Sequence, residues 1–432
     1  MKKWLGVMAV LCLLSPLFPS VMMAEKSIQS IIDEADPGST VYLESGTYHE
    51  NIVLDKPLTL IGKGNVIIES TSNEPVISID HTRDITIENI ELSSRDKDSV
   101  GIQANASKYL VMRDVKLSHF NSGIELFNVG NSEISDVTIE GKKGHFSKKL
   151  NGVTLYKTNR IKVEGAEIRN VQDGIYVEED HQSQLIGNLV SHSRYGIHLM
   201  YSDGTALVKN HLSQNVTGLM HMMSDGTSIK RNIVEHQTGY NGSGMVLYNG
   251  GSIEVEENTV AHNGVGMTLQ NVAHSAIKGN RISSNQTGLQ FIQYAQSNEF
   301  AGNEVYGNIM SVSSDRIGAV LERNYWDEYS GMDVDGDGLG DTFYQSNDSF
   351  GRLMVKQKAY QYFFESPAVV TLGKMEKKLS LKDKNAVRDE KPLLQGSGSN
   401  VEWGMNVFQL ILGSAGFAGG WFVWRKLSGS NG

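Results

Sequence analysis

A glycine followed by an apolar residue returns along this chain at a fixed interval: Gly101-Ile102, Gly123-Ile124, Gly152-Val153, Gly174-Ile175, Gly196-Ile197, Gly218-Leu219, Gly244-Met245, Gly266-Met267 and Gly288-Leu289. Six of the eight steps are 22 residues, and the other two, of 29 and 26, hold short insertions such as 141–147 and 239–243. Asparagine keeps the same interval at Asn188, Asn210, Asn232, Asn258 and Asn280. A period in the twenties marks a solenoid, whose units bury surface only against their neighbours. Between the glycines run stretches such as IYVEE, IHLMY and VTLYK, rich in branched and aromatic residues and without a helical stripe. The unit is therefore a coil of short strands.

Such a repeat predicts an all-β chain wound as a right-handed parallel β-helix, each turn one strand spacing, roughly 4.8 Å, above the last. Leucine-rich repeats share the period but need a leucine and asparagine consensus that these units lack. Inward side chains should stack into apolar ladders, with glycine and asparagine at the bends between strands, where left-handed dihedrals are tolerated. The asparagines read as a structural ladder and are assigned no chemistry.

The two ends speak to location. Lys2 and Lys3 precede an apolar run from Trp4 to Phe18, then Pro19, Ser20 and a small Ala24, the layout of a signal peptide over residues 1–24. Residues 404–424 carry no charge and are followed by Arg425 and Lys426. That segment is long enough to be a transmembrane helix, and the basic pair argues for a cytoplasmic tail, 425–432. The expectation is a single-pass protein of the cell membrane with its ectodomain outside the cytoplasm. Cys12, the single cysteine, falls within the signal, so any soft-metal site must depend on Met and His. A net charge of -10 argues against a nucleic-acid partner.

Along the chain, residues 25–65 read as an N-terminal cap and first strands. Ile28, Ile31 and Ile32 form an apolar face suited to covering an open solenoid end. Regular coils occupy 66–325, an acidic loop and C-terminal cap 326–372, and a lysine-rich, flexible linker 373–403.

In the string GMDVDGDGLGD, Asp333, Asp335, Asp337 and Asp341 have the 1, 3, 5, 9 spacing of a calcium loop, with Gly338 at the sharp sixth position. Tyr344 stands where an EF-hand has its glutamate, and no helices are expected around the loop. It reads as a structural Ca2+ clip or a metal-free acidic turn, not a signalling hand.

Aligned by the 22-residue period, Ile197 falls over Leu219, His198 over Met220, Leu199 over His221 and Met200 over Met222. Side chains alternate faces along a strand. With Ile197 and Leu199 inward, His198, Met200, Met220 and Met222 share an outward patch that Tyr176 and Glu178 extend one rung back, and Val246 and Tyr248 one rung on. Thioethers and an imidazole so placed could hold Cu(I) transiently. The same ladder suits partner docking, or packing under a loop. His221, inward beneath Met245, reads as a core histidine.

Many extracellular β-helices cleave or epimerise acidic polysaccharides, which requires neighbouring acidic and basic groups on one outer face. Here the coils offer isolated groups, Asp180, His192, Arg194, His198, Asp203 and Asp225, and the SDGT strings at 202–205 and 224–227 read as repeated turns. A cell-surface lyase or epimerase is the runner-up.

The string NYWDEYSGMDVDGDGLGDTFY from Asn324 to Tyr344, together with GTYHENIVLDKPLTLIG and the rungs RYGIHLMYSDG and VTGLMHMMSDG, resembles the exported β-helix accessory family of nitrous oxide reductase maturation, its D component. The resemblance covers most of the chain, and the acidic loop directly after NYW is its most specific part. It implies a non-enzymatic scaffold needed to assemble the reductase's copper-sulfide centre. The implied partners are an ABC-type membrane complex, a copper chaperone and the apo-reductase. The family-pattern residues carried over are Asn324, Trp326, Asp327, Tyr329, Gly331, Asp333, Asp335, Asp337, Gly338, Gly340 and Asp341. A C-terminal anchor departs from the family, whose members are mostly soluble in a periplasm.

Overall fold

Each coil is made of one long strand and two short ones, because the apolar residues alternate for about six positions and then for only three at a time. The coil that starts at Tyr195–Met200 continues through Ala206–Val208 and His211–Ser213, and the next opens at Thr217–Met222. This is a computed structural model, and it describes residues 27–94, 99–237, 242–315, 319–346 and 386–396, with isolated positions at 239, 360, 366–368, 371–372 and 375. The expected signal peptide, transmembrane helix and tail lie outside the described residues.

The long strands stack into a twelve-stranded parallel sheet from Ile52–Leu54 to Met310–Ser314, and the short ones form a 23-stranded sheet around the remaining sides. The fold is thus the right-handed parallel β-helix read from the repeat. Register follows the period: Ile175 pairs with Ile197, and Ile197 with Leu219. Inside, Leu185, Leu207, Ile229, Val255 and Ile277 form one ladder and Val190, Leu212, Val234, Val260 and Ile282 another, all buried. Each such side chain contributes about 1.5–3 kcal/mol.

The recurrent glycines do not sit at bends. Gly196 lies inside its long strand, where a Cβ would stand 2.6 Å from the carbonyl oxygen of Gly218, and one at Gly174 would meet Val190 Cγ1 at 2.2 Å. Close approach of one coil to the next, not a left-handed dihedral, demands glycine there. The left-handed positions instead precede each asparagine: Gly187, Lys209, Arg231, Glu257 and Gly279, with φ between 54° and 62°.

The asparagines themselves are buried and bond from coil to coil. Asn210 Nδ2 donates to the Leu185 carbonyl and to Asn232 Oδ1, both at 2.9 Å, and Asn232 Oδ1 also accepts from the Asn210 amide at 2.9 Å. The side-chain amide of each such asparagine is matched by the coils on either side. This ladder runs from Asn188 through Asn303 to Asn324, where Asp389 takes the place of the next asparagine. Its carboxylate accepts from the Asn324 amide at 3.0 Å, Asn324 Nδ2 at 2.9 Å and Trp326 Nε1 at 3.1 Å. A second ladder passes through Asn215, Gln237, Asn263, Asn285 and Asn308.

Both ends are closed. The helix Ile28–Glu34, capped by Ser27, buries Ile28 and Ile32 against the first coil, and Glu50 accepts from the amides of Ile28 and Gln29 at 2.7 and 3.1 Å. Stacking already begins where Thr40–Leu43 pairs with Leu58–Gly62, so the coils start ahead of residue 66. At the far end Arg388–Asp389 pairs with Val320–Leu321 and with Tyr344–Gln345. Residues 386–396, expected within the linker 373–403, instead belong to the C-terminal cap, because Asp389 supplies the acceptor that the last asparagine needs. Among the described residues, no helix is long and apolar enough to cross a membrane.

Candidate functional site

The outward positions of three consecutive long strands, Asp173–Glu178, Tyr195–Met200 and Thr217–Met222, build one cluster. Register places Tyr176 beside His198 and His198 beside Met220, with Glu178, Met200, Met222 and Tyr248 in the adjoining row. Of these, Tyr176, Met200, Met220, Met222 and Tyr248 are partly exposed, and His198 lies buried among them.

His198 is not open to solvent. It is 7% exposed, because the rings of Tyr176 and Tyr195 stand edge-on to it with centroids 5.1 and 4.8 Å away. Its Nδ1 donates to Asp173 Oδ2 at 2.9 Å. Arg194 grips the same carboxylate with two bonds, Nε to Oδ1 at 2.8 Å and Nη2 to Oδ2 at 2.6 Å, while its guanidinium covers the Tyr195 ring at 4.4 Å. Burial alone would raise the Asp173 carboxyl, but the bonds from His198 and Arg194 outweigh it and hold it below the usual carboxylate range.

With Nδ1 committed to Asp173, the second ring nitrogen of His198, Nε2, is buried and has no hydrogen-bond partner. A carboxylate on one ring nitrogen and a free second nitrogen is how metal-binding imidazoles are oriented, and equally how a proton acceptor is prepared. Tyr176 OH donates to Glu178 Oε2 at 2.6 Å and lies 3.8 Å from Met200 Sδ. Burial, and then the Glu178 carboxylate, push this phenol well above its ordinary value, so it stays protonated.

The sequence reading expected no acidic and basic groups together on an outer face; Asp173, Arg194 and His198 are such a group. They were missed because their contacts run at separations of 21 and 25 residues instead of 22. A signal existed in Asp173 directly before the strand glycine Gly174, with Arg194 and Tyr195 preceding Gly196 on the next coil. The other singled-out groups are structural. Asp180 accepts from Thr158 and Ser183 hydroxyls at 2.6 and 2.7 Å in a buried turn, and Asp203 pairs with Asp225 as repeated turns do. His221 is fully buried, with Nε2 3.0 Å from Thr227 Oγ1, and burial pushes its pKa down to about 4.

The acidic loop is a separate feature. Carboxylate oxygens of Asp333, Asp335 and Asp341 lie within 4.8 Å of one another, whereas Asp337 Oδ1 accepts from the Leu339 amide at 2.9 Å. The amide of Gly338 donates to Asp333 and, with that of Gly336, holds its carboxyl below the ordinary range. The Asp337 amide acts the same way on Asp335, but the charges of Asp337, Asp341 and Asp333 leave that carboxyl raised. Bonds from Gly340 to Pro392 and from Leu394 to Gly338 clamp the loop to the returning segment.

Residues 135–335 match the family described as "Periplasmic copper-binding protein (NosD)". Over 106 residues the chain is 31% identical to a "Probable ABC transporter binding protein NosD" of Pseudomonas aeruginosa, covering 23% of this chain and 25% of that protein. A protein of the same description from Stutzerimonas stutzeri is 30% identical over 106 residues, covering 23% of this chain and 24% of its own length. The matched stretch thus spans about a quarter of either relative. Among solved structures, the mannuronan C-5 epimerase AlgE6 A-module of Azotobacter vinelandii superposes with a TM-score of 0.55 at 14% identity, over 69% of this chain and 88% of that one. That likeness is one of fold.

Proposed function

We propose that this chain, which is NosD-like over residues 135–335, is an extracytoplasmic accessory factor that handles copper for assembly of the copper-sulfide centre of nitrous oxide reductase. In this reading it works beside an ABC-type membrane complex, takes Cu(I) from a copper chaperone and presents it to the apo-reductase, with residues 404–424 as its anchor to the cell membrane. The observation that carries it is the buried, unpartnered Nε2 of His198, held in place by Asp173 and flanked in register by Met220. One imidazole nitrogen and neighbouring thioethers suit a soft monovalent ion that must later be given up. The acidic loop, in the same reading, is a structural Ca2+ clip on the C-terminal cap.

Anaerobic Cu(I) titration of the full chain against a competing chelator tests this. His198→Gln and Met220→Leu should each weaken binding at least about tenfold, as removal of one donor or its support does. Affinity equal to the unmutated protein in both variants would refute copper contact at this face and leave partner docking as its role. The Tyr176, His198, Asp173 and Arg194 group also supports the runner-up, a polysaccharide lyase or epimerase, since it places an acid, a base and a cation on adjacent rungs. Turnover of an acidic polysaccharide that disappears in His198→Gln would establish that reading instead.

A further inference from the structure

On the short-strand side of the coils, away from the long sheet, three imidazoles and a carboxylate make a chain of contacts at one corner. His211 opens the strand His211–Ser213, Glu235 closes Ile233–Glu235, and His236 and His262 are the corner residues that follow on successive coils. His211 Nε2 lies 3.0 Å from Glu235 Oε1, and His236 Nε2 lies 4.0 Å from Glu235 Oε2. The rings of His236 and His262 are stacked, 4.7 Å apart and 2° from parallel.

Histidine recurs at this left-handed corner, at His192, His236 and His262, with Gln214 and Ser284 at the other positions and φ 55° to 57° throughout, and of the histidines only His236 and His262 fall on adjacent coils. Left-handed corners turn successive side chains outward, one above another, so a ligand-bearing residue on two neighbouring coils is a matched pair by construction. His211 on one oxygen of Glu235 fixes that carboxylate and leaves its other oxygen facing His236, the arrangement by which outer groups orient a metal-bound carboxylate.

We infer that Glu235, His236 and His262, with His211 as the positioning residue for Glu235, form a surface site for a borderline divalent ion such as Zn2+. Bonds of about 2.0–2.2 Å in a tetrahedral set bring ligand atoms to about 3.4 Å from one another. His236 Nε2 and Glu235 Oε2 are 4.0 Å apart, but the lone pairs of two parallel rings run side by side, so one imidazole must turn out of the stack before both can reach one ion; the His236 and Glu235 side chains, 56% and 29% exposed, have room for that turn. The site is distinct in place and in donor chemistry from the His198 and methionine face.

Calorimetric titration of the full-length protein with Zn2+ alone is the test, run on the unmutated chain, on His236→Asn/His262→Asn, on Glu235→Gln, and on His198→Gln and Asp333→Asn/Asp335→Asn as controls for the other two places. Asparagine tolerates the left-handed corner, so the double variant should keep its melting profile. The expected result is one Zn2+ per chain, weakened at least a hundredfold in His236→Asn/His262→Asn and about tenfold in Glu235→Gln, and unchanged in both controls. Undiminished zinc affinity in the folded double variant, or no stoichiometric zinc in the unmutated chain, would overturn the site while leaving the Cu(I) reading of His198 untouched.

Discussion

Two buried polar arrangements in these coils, one at the corner between the short strands and one on the long-strand face, differ in completeness. Along the corner from Asn188 to Asn324 each side-chain amide bonds to the coil behind and the coil ahead, and Asp389 closes the series. On the outer face, Asp173, Arg194 and His198 are just as closely joined, but they occur once and leave one buried nitrogen unmatched. Repetition with full satisfaction is the mark of a group that holds the solenoid together. A cluster that occurs once and leaves a buried polar atom unmatched, at a cost of about 1–3 kcal/mol, is open to a ligand where it also faces outward, which the equally unmatched Nδ1 of the core His221 does not.

The contrast can be broken most sharply in the corner. Asn232→Ala would strip Asn210 of the acceptor for two of its donors and leave the Leu207 carbonyl and Asn258 Oδ1 each short of a partner. Urea unfolding should show a loss of about 4 kcal/mol, the sum of a few orphaned groups. A loss below about 1 kcal/mol would mean that the ladder is ornamental.

The next effect is read by pH. His221 is neutral in the folded core, with a pKa of about 4 against an ordinary 6.5, owing to burial. Protons bind the unfolded chain first, so stability falls as pH drops from about 6.5 to 4 and levels off below the folded value, by at most about 3 kcal/mol. His221→Gln should flatten that segment of the stability profile. An unchanged slope would assign the acid sensitivity to other groups.

On the outer face the outcome should be reversed. His198→Gln gives up the bond to Asp173 together with the unmatched Nε2, so a loss of about 1–2 kcal/mol is expected while Cu(I) affinity falls. Loss of more than about 2 kcal/mol with intact copper binding would move His198 into the structural class. Smallest of all is the acidic loop, where Asp335→Ala with Asp337→Ala should lower the melting temperature only when calcium is present, because an ion that binds the folded state alone stabilises it by mass action. Equal melting of the unmutated protein with calcium and with chelator would exclude the clip.

What could be read from sequence follows the same division. The 22-residue spacing carried the fold, the pairing of His198 with Met220 and the inward placement of His221, since coil register is simply the period. Features that break the period stayed hidden. Asp173 reaches His198 from 25 residues away, and the second polar ladder was obscured by Gln237 standing among asparagines. The role of the strand glycines was misplaced because close approach between coils and bending within one leave the same residue in the sequence. Asp389 meets Asn324 across 65 residues, a contact no local pattern announces.

The account's central claim is that the face bearing His198, Met200, Met220 and Met222 serves the maturation of a copper enzyme. The most direct measurement is the copper content of nitrous oxide reductase purified from cells in which these four residues are replaced together by serine or alanine, with the β-helix shown by circular dichroism to remain folded. The account predicts reductase protein that lacks its copper-sulfide centre. Reductase with its normal copper content in that strain would contradict it.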